Sequence, residues 1–138
     1  MEKFDYLFRV HAGDTDYGGV MYHANYIDFF ERARVEWFNH LGVNLAEWAR
    51  LRIFFPVASL SIDYFQPVFF NDALLIKSDI VKAGRVSILF EQSMFKDQDV
   101  VAKIAVKVGC VDDSHKPVSI PESIREILAT STPDKKFS

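Results

Sequence analysis

The sequence predicts an α+β domain in which a curved antiparallel sheet wraps one long helix. The first observation is a helical apolar stripe: Tyr26, Phe29, Phe30, Ala33, Trp37 and Leu41 recur at three- and four-residue steps, and Ile27 and Phe38 widen the stripe beyond one face. The second is a change to period two after residue 56, sustained over four β-rich runs whose connections are short enough to make neighbours antiparallel. The third is length, because 138 residues suit one domain with a single core. A helix apolar on several sides needs cover on several sides, and a sheet curled around it is the economical answer. Periodicity alone leaves a flat sheet with helices on one face as the alternative.

Phe4 to His11 reads as a short first strand, with Phe4, Tyr6 and Phe8 alternating against Asp5, Leu7 and Arg9, and Gly13, Gly18 and Gly19 break the chain after it. The long helix runs from about Ala24 to Leu41, carries Asp28, Arg32 and Glu36 as a solvated ladder, and ends at Gly42, which fits a C-terminal cap. Leu45 to Leu51 adds a short helical piece. In Val57 to Phe65, Leu60, Ile62 and Tyr64 alternate with Ser59, Ser61 and Asp63, and Pro67 limits the far end. The next runs are Ala73 to Lys82, Val86 to Phe95 and Val100 to Val111, separated by Ala83-Gly84-Arg85 and Lys96-Asp97-Gln98-Asp99. In the last run Val100, Ala102, Ile104, Val106 and Val108 lie on one side, Val101, Lys103, Ala105 and Lys107 lie on the other, and one face meets the core. Pro121 opens a C-terminal helix carrying Ile124, Ile127 and Leu128. The expected organisation is a single domain over residues 1–130 with a flexible tail over 131–138, too poor in apolar residues to pack.

Composition narrows the function classes. The net charge is −3 and the 16 basic residues are scattered, so there is no electrostatic footprint for nucleic acid. The single cysteine, Cys110, excludes an intramolecular disulfide, and no Cys/His pair stands at zinc-ligand spacing, so neither a metal nor a cofactor is expected. The N-terminus shows no basic segment followed by an apolar one, and no stretch is long enough to span a bilayer, which gives the expectation of a soluble cytoplasmic protein. Thirteen phenylalanines in this length imply a bulky core together with an apolar surface covered by a second subunit.

The run from His11 to Tyr26 carries the chemistry. It sets a carboxylate, Asp16, and an imidazole, His23, on either side of the Gly18-Gly19 pair, which leads into a helix N-terminus. Acyl transfer needs a base or nucleophile and a site for the developing oxyanion, and helix amides supply the second. No Gly-x-Ser-x-Gly elbow occurs, and Cys110 lies in a strand without a nearby basic motif, so serine and cysteine nucleophiles are weak candidates.

The stretch Asp14-Thr15-Asp16-Tyr17-Gly18-Gly19-Val20-Met21-Tyr22-His23-Ala24-Asn25-Tyr26, with Glu31-Arg32-Ala33-Arg34, resembles the signature of the 4-hydroxybenzoyl-CoA thioesterase-like hotdog family. It is especially similar to the acyl-CoA thioesterase branch associated with the Tol/Pal system. The resemblance extends through Ser61 to Pro67 and Lys116 to Pro121. It implies a hotdog fold, a homodimer or homotetramer, and hydrolysis of an acyl-CoA thioester to free acid and coenzyme A. Asp16 matches the position of the family's catalytic aspartate, as general base or nucleophile, against the competing reading of an Asx-turn in a Gly-rich loop. His23 matches the branch's histidine, its backbone N–H aimed at the oxyanion and its imidazole assisting, against a histidine that merely caps the helix. Tyr17 stands where many members have a small residue, which leaves the acyl preference open.

Around this pair, Gly19, Tyr22, Ser61 and Arg85 are the candidate substrate-contacting residues, Arg85 as the foremost of Arg85, Lys82, Arg52 and Lys116 for the coenzyme phosphates. Asp14 is assigned to loop structure, Glu31 to an ion pair with Arg34 before catalysis, and His11, His40 and His115 to surface or packing. Phe54, Phe55, Phe69 and Phe70 fit an acyl pocket, the core or a subunit contact equally well. Two other classes remain: a noncatalytic module docking acyl carrier protein or lipid-synthesis enzymes, and a hotdog dehydratase using His23 and Glu31, against which the segment after His23 lacks the Pro-Gly-rich motif of that family.

Overall fold

The computed structural model describes residues 4–16 and 18–131; the expectations resting on Tyr17 and on the tail beyond Ser131 lie outside them. The chain runs β1 (Phe4–Arg9), a 3-10 turn at Ala12–Asp14, α1 (His23–His40), α2 (Leu45–Arg50), β2 (Val57–Tyr64), β3 (Ala73–Ala83), β4 (Ser87–Lys96), β5 (Asp99–Gly109) and α3 (Glu122–Ser131). Each element falls within about two residues of its expected limits except that the 3-10 turn, built by Asp14 accepting at Oδ2 from the His11 amide at 2.9 Å, has no periodic signal.

The five strands form one antiparallel sheet in the order β1-β3-β4-β5-β2. Both outer strands touch α1. Phe8 of β1 stacks on Phe29 at 4.0 Å between ring centroids, and Tyr64 of β2 meets Tyr26 at 5.0 Å. Five strands spaced at about 4.8 Å span about 19 Å, while a helix with side chains is only about 10 Å thick. The sheet therefore curls around α1, the hotdog arrangement expected.

Packing obeys the periodicities. Tyr26, Phe29, Phe30, Ala33, Trp37 and Phe38 of α1 are buried against Ile76, Ile80, Phe90, Met94, Ile104 and Val106. The helix ends as Gly42 suggested: at φ +85° it lets its own N–H reach Asn39 O (3.1 Å) and that of Val43 reach Phe38 O (2.8 Å), the paired bonds of a Schellman motif. Asn44 then caps α2, its side chain accepting from the Ala46 and Glu47 amides.

Val101 departs from strict alternation. The register shifts so that Phe95 faces Val100 while Met94 faces Ala102, and the extra residue, Val101, turns inward and is fully buried instead of sharing the outer side with Lys103. Its carbonyl accepts from the amides of Phe65 (2.9 Å) and Gln66 (3.3 Å), which ends β2 and fixes the segment after it.

Strand β2 is an open edge. Seven of its eight residues are exposed, and its inward-facing Leu60 and Tyr64 remain 39% and 36% accessible. No helix among the described residues is long and apolar enough to cross a membrane.

Candidate functional site

The loop before α1 is a tight hairpin closed around Asp16. Thr15 pairs with Met21, the Asp16 amide donates to Val20 O at 2.9 Å, and Gly19, at φ +76°, donates to Asp16 O at 3.0 Å. Inside this hairpin Asp16 Oδ1 accepts from the amides of Gly18 (2.9 Å) and Val20 (3.2 Å). Asp16 thus forms the Asx-turn, and its second oxygen, Oδ2, has no donor among the described residues and belongs to an exposed side chain. The two readings of this carboxylate are compatible, because the turn uses one oxygen and leaves the other.

A neighbouring segment holds the hairpin in place. Met21 donates to Val68 O (2.7 Å), Phe70 donates to Gly19 O (2.8 Å), and Val20 bridges Phe69. Phe69 and Phe70 therefore lie beside the Asp16 loop, 43% and 56% exposed, outside the core. Asp14 is structural: its carbonyl accepts from the Tyr22 amide and from Asn25 Nδ2.

The hairpin delivers the chain into α1 without a side-chain cap. Tyr22, the N-cap, makes no capping bond, and among the described residues the amides of His23 and Ala24 meet no acceptor. These are the first free donors of an 18-residue helix whose dipole favours negative charge at this end. The side chains of Tyr22, His23 and Ala24 are all exposed.

The His23 imidazole lies on the Tyr64 ring at 4.2 Å with 17° between planes, and Tyr26 approaches it edge-on at 6.1 Å. Tyr64 Oη donates to the His23 carbonyl at 3.2 Å. Burial pushes the Tyr26 phenol above its ordinary value, countered in part by a hydrogen bond with the Val68 backbone, and burial also raises Tyr64. Both phenols remain protonated at neutral pH. A cleft of about 350 Å³ opens here, lined by Val20, His23, Tyr26 and the segment from Tyr64 to Pro67. Asp16 and His23 thus flank one loop-to-helix junction without a hydrogen bond or ion pair between them.

Other candidates lie elsewhere. Ser61 pairs with Ala105 and, by alternation with Ile62, projects from the outer face of the sheet, away from His23. Arg85 donates through Nε to Ser119 Oγ at 3.0 Å and lines a cleft of about 380 Å³ with Lys82 and Lys107. That cleft lies at the Val57 end of the sheet, seven residues of β2, or about 23 Å, from Tyr64. Lys107 is the basic residue that sequence reasoning missed; its signal is the register, since Lys82 faces Leu89 and Leu89 faces Lys107. Arg52 and Lys116 are exposed and line neither cleft.

The expected Glu31–Arg34 ion pair does not form. Arg34 turns inward, 6% exposed, and donates through Nη1 to Gln92 Oε1 at 2.9 Å, while Gln92 Nε2 donates to Phe30 O and Ser78 Oγ, both at 2.9 Å. Burial lowers the Arg34 pKa, with the charge of Glu31 opposing that shift. Its place in the Phe30-Arg34-Phe38 row is the signal that an i,i+3 pairing rule overlooks. Phe55 meets Arg34, Phe38 and Phe90 around a cavity of about 260 Å³. Among the described residues, no group of three His, Cys, Asp or Glu side chains could hold a metal ion.

Known proteins share this architecture. A model of the thioesterase-like superfamily matches residues 10–128. An acyl-CoA thioesterase YbgC from Haemophilus influenzae is 38% identical over 126 residues, covering 88% of this chain and 91% of that protein. An acyl-CoA thioester hydrolase YbgC from Escherichia coli is 35% identical over 123 residues, covering 88% and 92%. A crystal structure of a hypothetical protein from Aquifex aeolicus superposes with a TM-score of 0.86 at 29% identity, covering 91% of this chain and 98% of that one.

Proposed function

Because this chain belongs to the thioesterase-like superfamily, we propose that it is an acyl-CoA thioesterase whose single domain, residues 1–130, hydrolyses the thioester to free acid and coenzyme A. The observation that carries the reading is local: a carboxylate anchored through one oxygen and two acceptor-free helix amides share one exposed junction. Asp16 Oδ2 takes a proton from water as the water oxygen attacks the carbonyl carbon, or attacks that carbon itself to give, once the thiolate has left, a mixed anhydride that water hydrolyses to the free acid and the restored carboxylate. The carbonyl oxygen becomes an oxyanion that the His23 and Ala24 amides stabilise, and the C–S bond then breaks. A thiolate is a good leaving group, since thiols ionise at about pH 8.5, so no strong acid is needed opposite Asp16. The His23 imidazole orients the acyl carbonyl, with Gly19 and Tyr22 bordering the substrate's entry.

The open β2 edge supports a second copy as partner. An edge of unpaired backbone groups with exposed Val57, Leu60 and Tyr64 is a template for another strand, and a two-fold axis would pair β2 with itself antiparallel. Such pairing sets the Val57 end of one protomer beside the Tyr64 end of the other. Arg85, in the turn at that end of the sheet, is then the basic residue that would serve coenzyme phosphates bound at the His23 cleft of its mate. We place this activity in a reducing, cytoplasmic compartment, consistent with a lone buried thiol at Cys110.

The test is release of free thiol from a panel of short aliphatic, long aliphatic and aryl coenzyme A thioesters. Steady turnover on part of the panel supports the reading. Binding of the thioesters, or of acyl carrier protein, without thiol release from any of them contradicts it, and hydration of crotonyl-CoA without thiol release would point to dehydratase chemistry.

A further inference from the structure

We infer that Tyr64 is a positioning residue for this site, its ring holding the His23 imidazole and its hydroxyl holding the peptide group whose N–H meets the oxyanion. The inference rests on the assignment of His23 and Ala24 above and adds to it the residue that sets their geometry.

A histidine at the first position of a helix, exposed and without a capping bond, has no local reason to keep one rotamer. Here two aromatic rings supply that reason. Tyr64 covers one face of the imidazole at 4.2 Å, and Tyr26 stands edge-on to both rings, 6.1 Å from His23 and 5.0 Å from Tyr64. Tyr26 is itself fixed, being 2% exposed. The arrangement leaves His23 bordering the cleft with one face of its ring covered by Tyr64.

The hydroxyl acts on a different atom. Tyr64 Oη donates to the His23 carbonyl at 3.2 Å. That carbonyl and the Ala24 N–H belong to one planar peptide unit, so fixing the oxygen also fixes the direction of an acceptor-free amide. Donation to the oxygen additionally polarises the unit and strengthens its N–H as a donor. The position of Tyr64 is in turn fixed by the Val101 bulge, whose carbonyl binds the amides of Phe65 and Gln66 directly after it. Strand β2 thereby meets the first turn of α1 through one side chain that reaches both imidazole and amide.

Two substitutions separate the two contacts. Tyr64→Phe keeps the ring and loses the hydroxyl; Tyr64→Leu loses both. Each is measured in the full chain by thiol release and by the NMR position of the His23 imidazole Cε1 proton, which a stacked ring shifts upfield. The expected result for Tyr64→Phe is an unmoved imidazole resonance and kcat lower by about threefold to tenfold with KM within about twofold. For Tyr64→Leu the resonance moves downfield and kcat falls further. In a His23→Ala background, Tyr64→Leu should cost no more than Tyr64→Phe does, because only the amide contact is left to lose. An imidazole resonance unmoved by Tyr64→Leu, or a full independent loss in the His23→Ala background, overturns the inference. The resonance is read without turnover, so a chain that released no thiol would contradict the proposed activity and still decide whether Tyr64 holds the imidazole.

Discussion

At its start α1 exposes the side chains of its N-cap and first two residues and leaves two amides without acceptors among the described residues, whereas three turns later it buries a guanidinium to 6% exposure and ties it through Gln92 to Ser78 and to its own Phe30 carbonyl. Both regions lie on one helix and face one sheet. The middle spends its polar groups on internal partners, which fixes how α1 sits in the curl of the sheet. The first turn keeps its donors open, and the loop leading into it is stabilised by a carboxylate that needs only one of its two oxygens for the purpose. Chemistry is available where the helix leaves the sheet, and rigidity is supplied where it does not.

Substitutions in the two regions should accordingly fail in opposite ways. The largest effect is expected at Asp16→Asn, where the amide oxygen can still accept from Gly18 and Val20 but the side chain cannot take a proton. Turnover in a thiol-release assay should fall by about 10³-fold, within the range of a lost general base, while the thermal midpoint stays in place. Next is Gln92→Leu, which strips Arg34 of its hydrogen-bond partner inside the protein. Denaturant unfolding should show a loss of about 3 kcal/mol, with the kcat of the folded protein unchanged. A Gln92→Leu protein of full stability and lost activity would dissolve the contrast between the regions.

His23→Ala should have a smaller catalytic effect, about tenfold in kcat, because it removes the imidazole and keeps the backbone N–H. A loss equal to that of Asp16→Asn would move the oxyanion interaction from the backbone to the imidazole. The smallest effect concerns Cys110, buried near Ser119, where burial pushes the thiol up to about 11 from an ordinary 9.0. The native state holds this proton more tightly than the unfolded chain does, so its stability contribution is complete below pH 9 and is lost as pH rises from 9 to about 11. Melting across that window should steepen for the wild type relative to Cys110→Ala, and the native thiol should resist alkylation at pH 8, so that a thiol assay counts only coenzyme A.

The contrast also explains what the sequence could and could not disclose. The apolar period of α1, the cap at Gly42 and the alternation of β3 to β5 were legible because burial repeats with the geometry of each element. The placement of Asp16 in the loop and His23 at the helix start was legible through a local motif, since loop, glycines and helix start are contiguous in the chain. Three features were not. The inward turn of Val101 depends on a register shift against β4, a property of two strands together. The inward turn of Arg34 depends on Gln92, 58 residues away, which outcompetes the surface partner Glu31. The separation of Ser61 and Arg85 from His23 depends on which face and which end of the sheet meet the helix, and alternation sorts residues into two sets without saying which set is inside.

The most direct measurement is a crystal structure of the chain with a coenzyme A conjugate in which a methylene replaces the thioester sulfur, leaving an unhydrolysable ketone. The ketone oxygen is expected at about 2.7–3.1 Å from the His23 and Ala24 amides, with Asp16 Oδ2 on the side from which the carbonyl carbon is attacked. A ketone seated away from those amides, with Asp16 facing solvent beyond reach of it, would remove both the oxyanion site and the base from the proposed reaction.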